Sequence, residues 1–262
     1  MFTSFNVALP TYEVITPQTK QSFLLKSLTI ADEEKMKASL VNEKKILNHL
    51  NKCIYDAIAE KNKKYTLDEF LSTVTLKDRE ALLYGLYHIT YEEIRNYTIT
   101  CGNCGANQDV TVNASDTFSM ELYDGKENEI LKKRVTEDLK ILKTVKVVIK
   151  QPTLKDENEA MKRFTFQNYS NELIAETLII DKFIWDHAEE AKEPMIIEDR
   201  DEVIRAYLSL PAKDKKIINK SYIDNFGKYQ ISLKMKNTCT KCGHTEVIDI
   251  DLVDNFFRAM YQ

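Results

Sequence analysis

Glycine and proline are scarce in this 262-residue chain, at 6 and 5. With hydrophobic residues at 43% and charged residues at 30%, that scarcity excludes a disordered or low-complexity protein and points to a helix-rich globular one with a sizeable core. No run of ~18 apolar residues is present, so no membrane span is expected. The first residues, MFTSFNVALPTYEV, carry neither a basic n-region nor a long apolar h-region, so a signal peptide is not expected and a reducing, intracellular compartment is.

Strong positive charge is also missing. The net charge is −4, and Lys44-Lys45, Lys132-Lys133-Arg134 and Lys215-Lys216 are short and diluted by acids. Composition therefore gives no support to generic nucleic-acid binding, which needs a basic surface. Catalytic signatures are absent as well: there is no glycine-rich phosphate loop, no G-x-S-x-G and no H-E-x-x-H. The histidines, His49, His88, His187 and His244, have no motif around them. His187, beside Trp185, Asp186 and Glu189, reads as a solvated helix end. Neither an enzyme nor a small-molecule substrate is expected.

What is present is a matched pair of cysteine pairs. TCGNC at 100–104 and TCTKC at 238–242 both run into glycine, and they hold four of the five cysteines. A C-x-x-C-G turn between strands is a zinc knuckle. The spacing points both thiolates inward, and the glycine permits the positive φ the turn needs. Two knuckles supply Cys101, Cys104, Cys239 and Cys242, a complete tetrahedral set for one structural Zn²⁺ with no position left for substrate. Closing the loop between the pairs costs about 4 kcal/mol, against on the order of 10–16 kcal/mol from a structural zinc site. The alternatives are a separate metal for each pair, with His244 helping the second, a redox C-x-x-C, and thiols that hold no metal. Cys53, between Leu50 and Ile54 on one helical face, reads as a core thiol.

The cysteine pairs anchor an internal repeat. At an offset of 138, Thr100, Cys101, Cys104, Gly105, Val110, Val112, Asp116 and Phe118 meet Thr238, Cys239, Cys242, Gly243, Ile248, Ile250, Asp254 and Phe256. Lys77-Asp78 meets Lys213-Asp214 at 136, and Thr29–Glu33 meets Thr153–Glu157 at 124. The growing offset places insertions in the second copy. Chance matching among common residues is the competing account, and the shared order of features favours duplication.

Each copy reads alike. Strands are expected at 5–16 and 144–150, followed by capping boxes at Thr29-x-x-Asp32 and Thr153-x-x-Asp156. Amphipathic helices carry Ile46, Leu47, Leu50, Ile54, Ala57 and Ile58, or Ile174, Leu178, Ile184 and Ala188. Helix starts follow at Thr66 and Thr75, then at Asp199 and Asp214. Strands at 96–100, 110–112, 229–235 and 246–250 flank the cysteine pairs.

The fold class is α+β: two similar tandem-repeat halves, each helical with a strand–CxxC–strand zinc-knuckle hairpin, joined about a pseudo-twofold axis. Residues 1–123 form the first repeat, 124–143 a helical connector and 144–262 the second repeat. The apolar tail from Asp254 to Tyr261 either caps the core or docks on a partner.

The order Leu9-Pro10-Thr11, LTIADEEKM (28–36), ILNHLNKCI (46–54), YTLDEFLSTVTLKDREALLYGLYHITY (65–91) and YTITCGNC (97–104) resembles the T4-like bacteriophage baseplate hub assembly protein family. The likeness covers about the first 120 residues. It implies a non-enzymatic protein of a contractile phage tail, in the virion baseplate or in the host cytoplasm during assembly, with other tail proteins as partners. The family offers no catalytic residues to carry over, and metal binding rests on the cysteines alone. The alternative is a zinc-ribbon phage accessory protein that binds nucleic acid; a cysteine oxidoreductase is a third class.

Overall fold

The computed structural model of the chain describes residues 8–40, 46–60, 65–91, 94–164, 170–186 and 193–250. His187, Ala188 and the apolar tail fall outside these residues. No helix among them is long and apolar enough to cross a membrane.

Strands β1 (Thr11–Ile15) and β2 (Ser22–Lys26) pair antiparallel. They turn Val14, Phe23 and Leu25 inward. Four helices follow: α1 (Ile30–Leu40), α2 (Ile46–Ala57), α3 (Leu67–Thr73) and α4 (Leu76–Thr90). Reciprocal capping boxes start α3, from Thr66 and Glu69, and α4, from Thr75 and Asp78. Leu50, Ile54, Ala57 and Ile58 are buried, as the 3.6-residue period requires. Cys53 is half-buried against this core. Burial, followed by the nearby carboxylates of Asp32 and Asp56, pushes its thiol up to about 12, which leaves it unreactive.

The chain continues through β3 (Ile94–Thr100), β4 (Asn107–Asn113), α5 (Ala114–Thr117), β5 (Phe118–Met120) and a 3-10 turn at Glu129–Leu131. Next come β6 (Arg134–Asp138), β7 (Val145–Lys150), α6 (Leu154–Phe164), α7 (Asn171–Leu178), β8 (Ile180–Trp185) and β9 (Met195–Ile197). The described chain closes with α8 (Arg200–Leu208), α9 (Ala212–Tyr222), a π-helical turn at Ile223–Gly227, β10 (Ile231–Thr238) and β11 (Thr245–Asp249). Strands β6-β7-β8-β9 form one antiparallel sheet, β3-β4 a hairpin, and β11-β10-β5 a three-stranded sheet.

Two expectations are corrected. Residues 124–143 are not a connecting helix. The 3-10 turn and β6 occupy them, with Ile130 and Leu139 buried in a core cluster with Val147, Ile149, Phe183 and Phe226. The charges along β6 conceal a period of two, in which Val135 and Glu137 are half-buried between exposed Arg134, Thr136 and Asp138. The helix expected to carry both Ile174 and Ile184 ends at Leu178, and Ile184 lies on β8 opposite Lys146. The β-branched and aromatic run Ile179-Ile180-Asp181-Lys182-Phe183-Ile184-Trp185 favours strand there.

The N- and C-terminal stretches are interlocked. One core cluster gathers β1, β2 and α1–α4, and it also takes in Leu154, Ile231 and Leu233. Strand β5 pairs with β10, with Leu233 opposite Phe118. The Arg79 guanidinium of α4 grips the Glu157 carboxylate of α6 through both terminal nitrogens, with side chains only 13% and 10% exposed. Beside it the Leu154 N–H donates to the Val74 carbonyl at 3.0 Å. The buried Gln18 amide donates to the Gln151 side chain (3.3 Å) and to the Phe226 carbonyl (3.0 Å).

Two buried aspartates tie helix starts to strand turns. Asp78 accepts from the Gln18 N–H (2.8 Å) and the Thr19 hydroxyl (2.8 Å) in the β1–β2 turn. Asp214, in the first turn of α9, accepts from the N–H groups of Lys140 (2.9 Å), Ile141 (3.0 Å) and Leu142 (3.2 Å) in the β6–β7 turn. Burial raises the Asp78 pKa, opposed by its donors.

Truncating Glu157→Ala strands the enclosed Arg79 charge. We expect a loss of about 3–5 kcal/mol in urea unfolding; a wild-type midpoint would contradict the assigned weight of this pair.

Candidate metal centre

Strands β3 and β4 pair from Ile94 opposite Asn113 to Thr100 opposite Asn107. Strands β10 and β11 pair from Lys234 opposite Asp249 to Thr238 opposite Thr245. Each hairpin therefore ends in its cysteine turn, and the two turns have the same hydrogen bonds. The Cys101 N–H donates to the Ala106 carbonyl (2.9 Å) and the Gly105 N–H to the Cys101 carbonyl (2.9 Å). In the other turn the Cys239 N–H donates to the His244 carbonyl (2.8 Å) and the Gly243 N–H to the Cys239 carbonyl (2.9 Å). Gly105 and Gly243 sit at φ 68° and 72°, a region costly for any residue with a Cβ.

The tips meet. All four sulfurs lie within 4.8 Å of one another. Cys101 Sγ is 3.8 Å from Cys242 Sγ, and Cys104 Sγ is 3.7 Å from Cys239 Sγ. A tetrahedron with Zn–S bonds of ~2.3 Å has edges of about 3.8 Å, so the spacing suits one ion. It is far from a disulfide's ~2.05 Å, and all five cysteines are free thiols. Cys101 and Cys239 are 2% exposed, while Cys104 and Cys242 face solvent. The cluster holds four cysteines and no histidine, so the arrangement with one metal per pair, helped by His244, does not fit.

A family model for the T4 bacteriophage base plate protein matches residues 9–258. The chain belongs to that family. No curated protein and no solved structure matches it. The baseplate match reaches well past the first 120 residues in which the sequence motifs are legible, and it takes in both cysteine hairpins.

Within this baseplate protein, the surroundings of the sulfurs tune them unequally. The His244 N–H, then the Asn103 amide and the Cys104 thiol, lower Cys242 to about 6. At Cys104 the Ala106 N–H acts downward but is outweighed by the Cys242 thiol first, then by desolvation and the thiols of Cys101 and Cys239, so that it stands at about 11. Four thiols this close share protons; a bound cation would displace them, so metal affinity would weaken as the pH is lowered.

Polar side chains that the motif does not contain hold the hairpins together. The Gln108 side-chain amide on β4 donates to Asn237 Oδ1 on β10 (2.5 Å) and its Oε1 accepts from the Thr240 N–H (3.0 Å). The Asn103 amide reaches Cys242 Sγ at 3.7 Å. The repeat could not disclose these residues, because at the offset of 138 Gln108 meets Glu246 and Asn103 meets Lys241.

Metal analysis of the purified chain should give one zinc per chain. Cys101→Ser and Cys239→Ser should each remove it and lower thermal stability, with the loss mimicked in the wild type by chelator or by acidification. A full zinc complement in the Cys101→Ser/Cys239→Ser double variant would contradict the four-sulfur site.

Proposed function

We propose that the chain is a non-enzymatic structural or assembly protein of the hub region of a contractile phage tail baseplate, acting through protein–protein contacts and clamped internally by one structural Zn²⁺. The observation that carries this reading is the baseplate-family match across residues 9–258. The role of the metal rests on the convergence of Cys101, Cys104, Cys239 and Cys242. The ion would occupy every ligand position with protein sulfur, which suits a clamp and leaves no place for substrate.

The same reading makes the molecule a tandem duplication about a pseudo-twofold axis through the metal. Several correspondences favour it. Thr29 and Asp32 cap α1 reciprocally, as Thr153 and Asp156 cap α6. Asp78 grips the β1–β2 turn as Asp214 grips the β6–β7 turn. In chain order each half supplies a hairpin, two helices, two further helices and a cysteine hairpin. The second half inserts β8 and β9 between its helix pairs, which accounts for the offset growing from 124 to 136. On this account the second repeat begins with β6 rather than at residue 144, because β6 is the counterpart of β1.

Deleting the gene should yield particles lacking functional baseplates, and mass spectrometry should find the chain in tails or in their assembly intermediates. Normal contractile tails in its absence would overturn the assignment. Its presence in intermediates alone would mark an assembly factor, and its presence in finished tails a virion subunit.

A further inference from the structure

The β8–β9 hairpin has no counterpart among the described residues of the N-terminal half, and it changes the surface. Strand β9 is the outer strand of the four-stranded sheet, and no described residue pairs with its far edge. Its residues are Met195-Ile196-Ile197, with Met195 46% and Ile196 52% exposed. Open apolar edges of this kind are ordinarily blunted by lysine, proline or a bulge within the strand. Here only Pro194, just before it, serves that purpose.

Acidic residues cluster in the sequence around this strand. Residues 186–202 hold eight acidic side chains against two basic ones, Lys192 and Arg200. This exceeds the net −4 of the whole chain, so the rest of the molecule is slightly positive. Arg200 is turned inward, donating to the carbonyls of Ile180 and Thr177 at 2.8 Å. Exposed Glu193 and Glu198 stand at the two ends of β9. A second copy of this chain on the edge would bring like charges together, which opposes self-pairing.

We propose that the β9 edge receives an extended segment of a different baseplate protein, with apolar side chains at its centre and lysine or arginine at its flanks. Backbone hydrogen bonds would extend the sheet, Met195 and Ile196 would be covered, and the basic flanks would meet Glu193 and Glu198. This rests on the reading of the chain as a baseplate protein.

The test is carbodiimide cross-linking, which joins a carboxylate directly to a lysine amine in contact with it, applied to purified tails and assembly intermediates. The expected result is Glu193 and Glu198 linked to lysines of another protein, with both links lost in Glu193→Gln/Glu198→Gln. Ile196→Lys should lower incorporation into baseplates by about tenfold while the melting temperature of the isolated chain stays the same. Should Ile196→Lys not fold, Glu193→Lys/Glu198→Lys gives the same readout. Links to a second copy, no links although the chain is present, or undiminished incorporation of the variants would overturn this proposal alone. Absence of the chain from tails and intermediates alike would overturn the baseplate role, and this proposal with it.

Discussion

Convergence of four cysteine sulfurs from hairpins about 134 residues apart in sequence is the constraint on which the arrangement of the molecule depends. A hairpin tip built around a positive-φ glycine cannot bury much apolar surface, and Cys104 and Cys242 remain open to solvent. Packing alone gives such tips little reason to meet. A cation shared among four thiolates supplies one. Once bound, it would offset on the order of 4 kcal/mol of loop closure with a binding free energy several times larger. The Gln108 and Asn237 side chains then fix how one hairpin lies against the other.

Away from the sulfurs, polar contacts in enclosed places join the two ends of the chain. The Arg79–Glu157 pair, the Gln18 amide and the β5–β10 pairing all cross from the N-terminal to the C-terminal stretch. Such contacts are geometrically demanding, and their removal leaves unpaired groups behind. They make the two stretches a single object, which a metal on the four sulfurs would tie further. A protein that acts by docking on neighbours benefits from that rigidity, because less freedom is lost on assembly.

Much of this was legible in the residues themselves. Spacing and the following glycine identify both cysteine turns, and threonine followed three residues later by an acid marks the starts of α1, α3, α4 and α6. The 3.6-residue apolar period places α2. Charged stretches were the obscure part. In β6 Arg134, Thr136 and Asp138 lie on the solvent side of a strand while Glu137 shares the half-buried side with Val135, and only the pairing with β7 decides between the periods. In the 171–185 stretch, apolar residues satisfy both periods until Leu178 ends the helix. Gln108, Asn103 and Asn237 belong to no spacing rule, because amide side chains acquire their role from what folding brings opposite them. The family likeness was readable over the first third to half of the chain, while the match extends to residue 258.

X-ray absorption at the zinc edge of the purified protein tests the shared clamp most directly. The account predicts a single shell of four sulfurs at ~2.3 Å, with one zinc per chain and no nitrogen or oxygen in the shell. A mixed sulfur–nitrogen shell, two zinc ions per chain, or a metal-free protein of undiminished stability would contradict it.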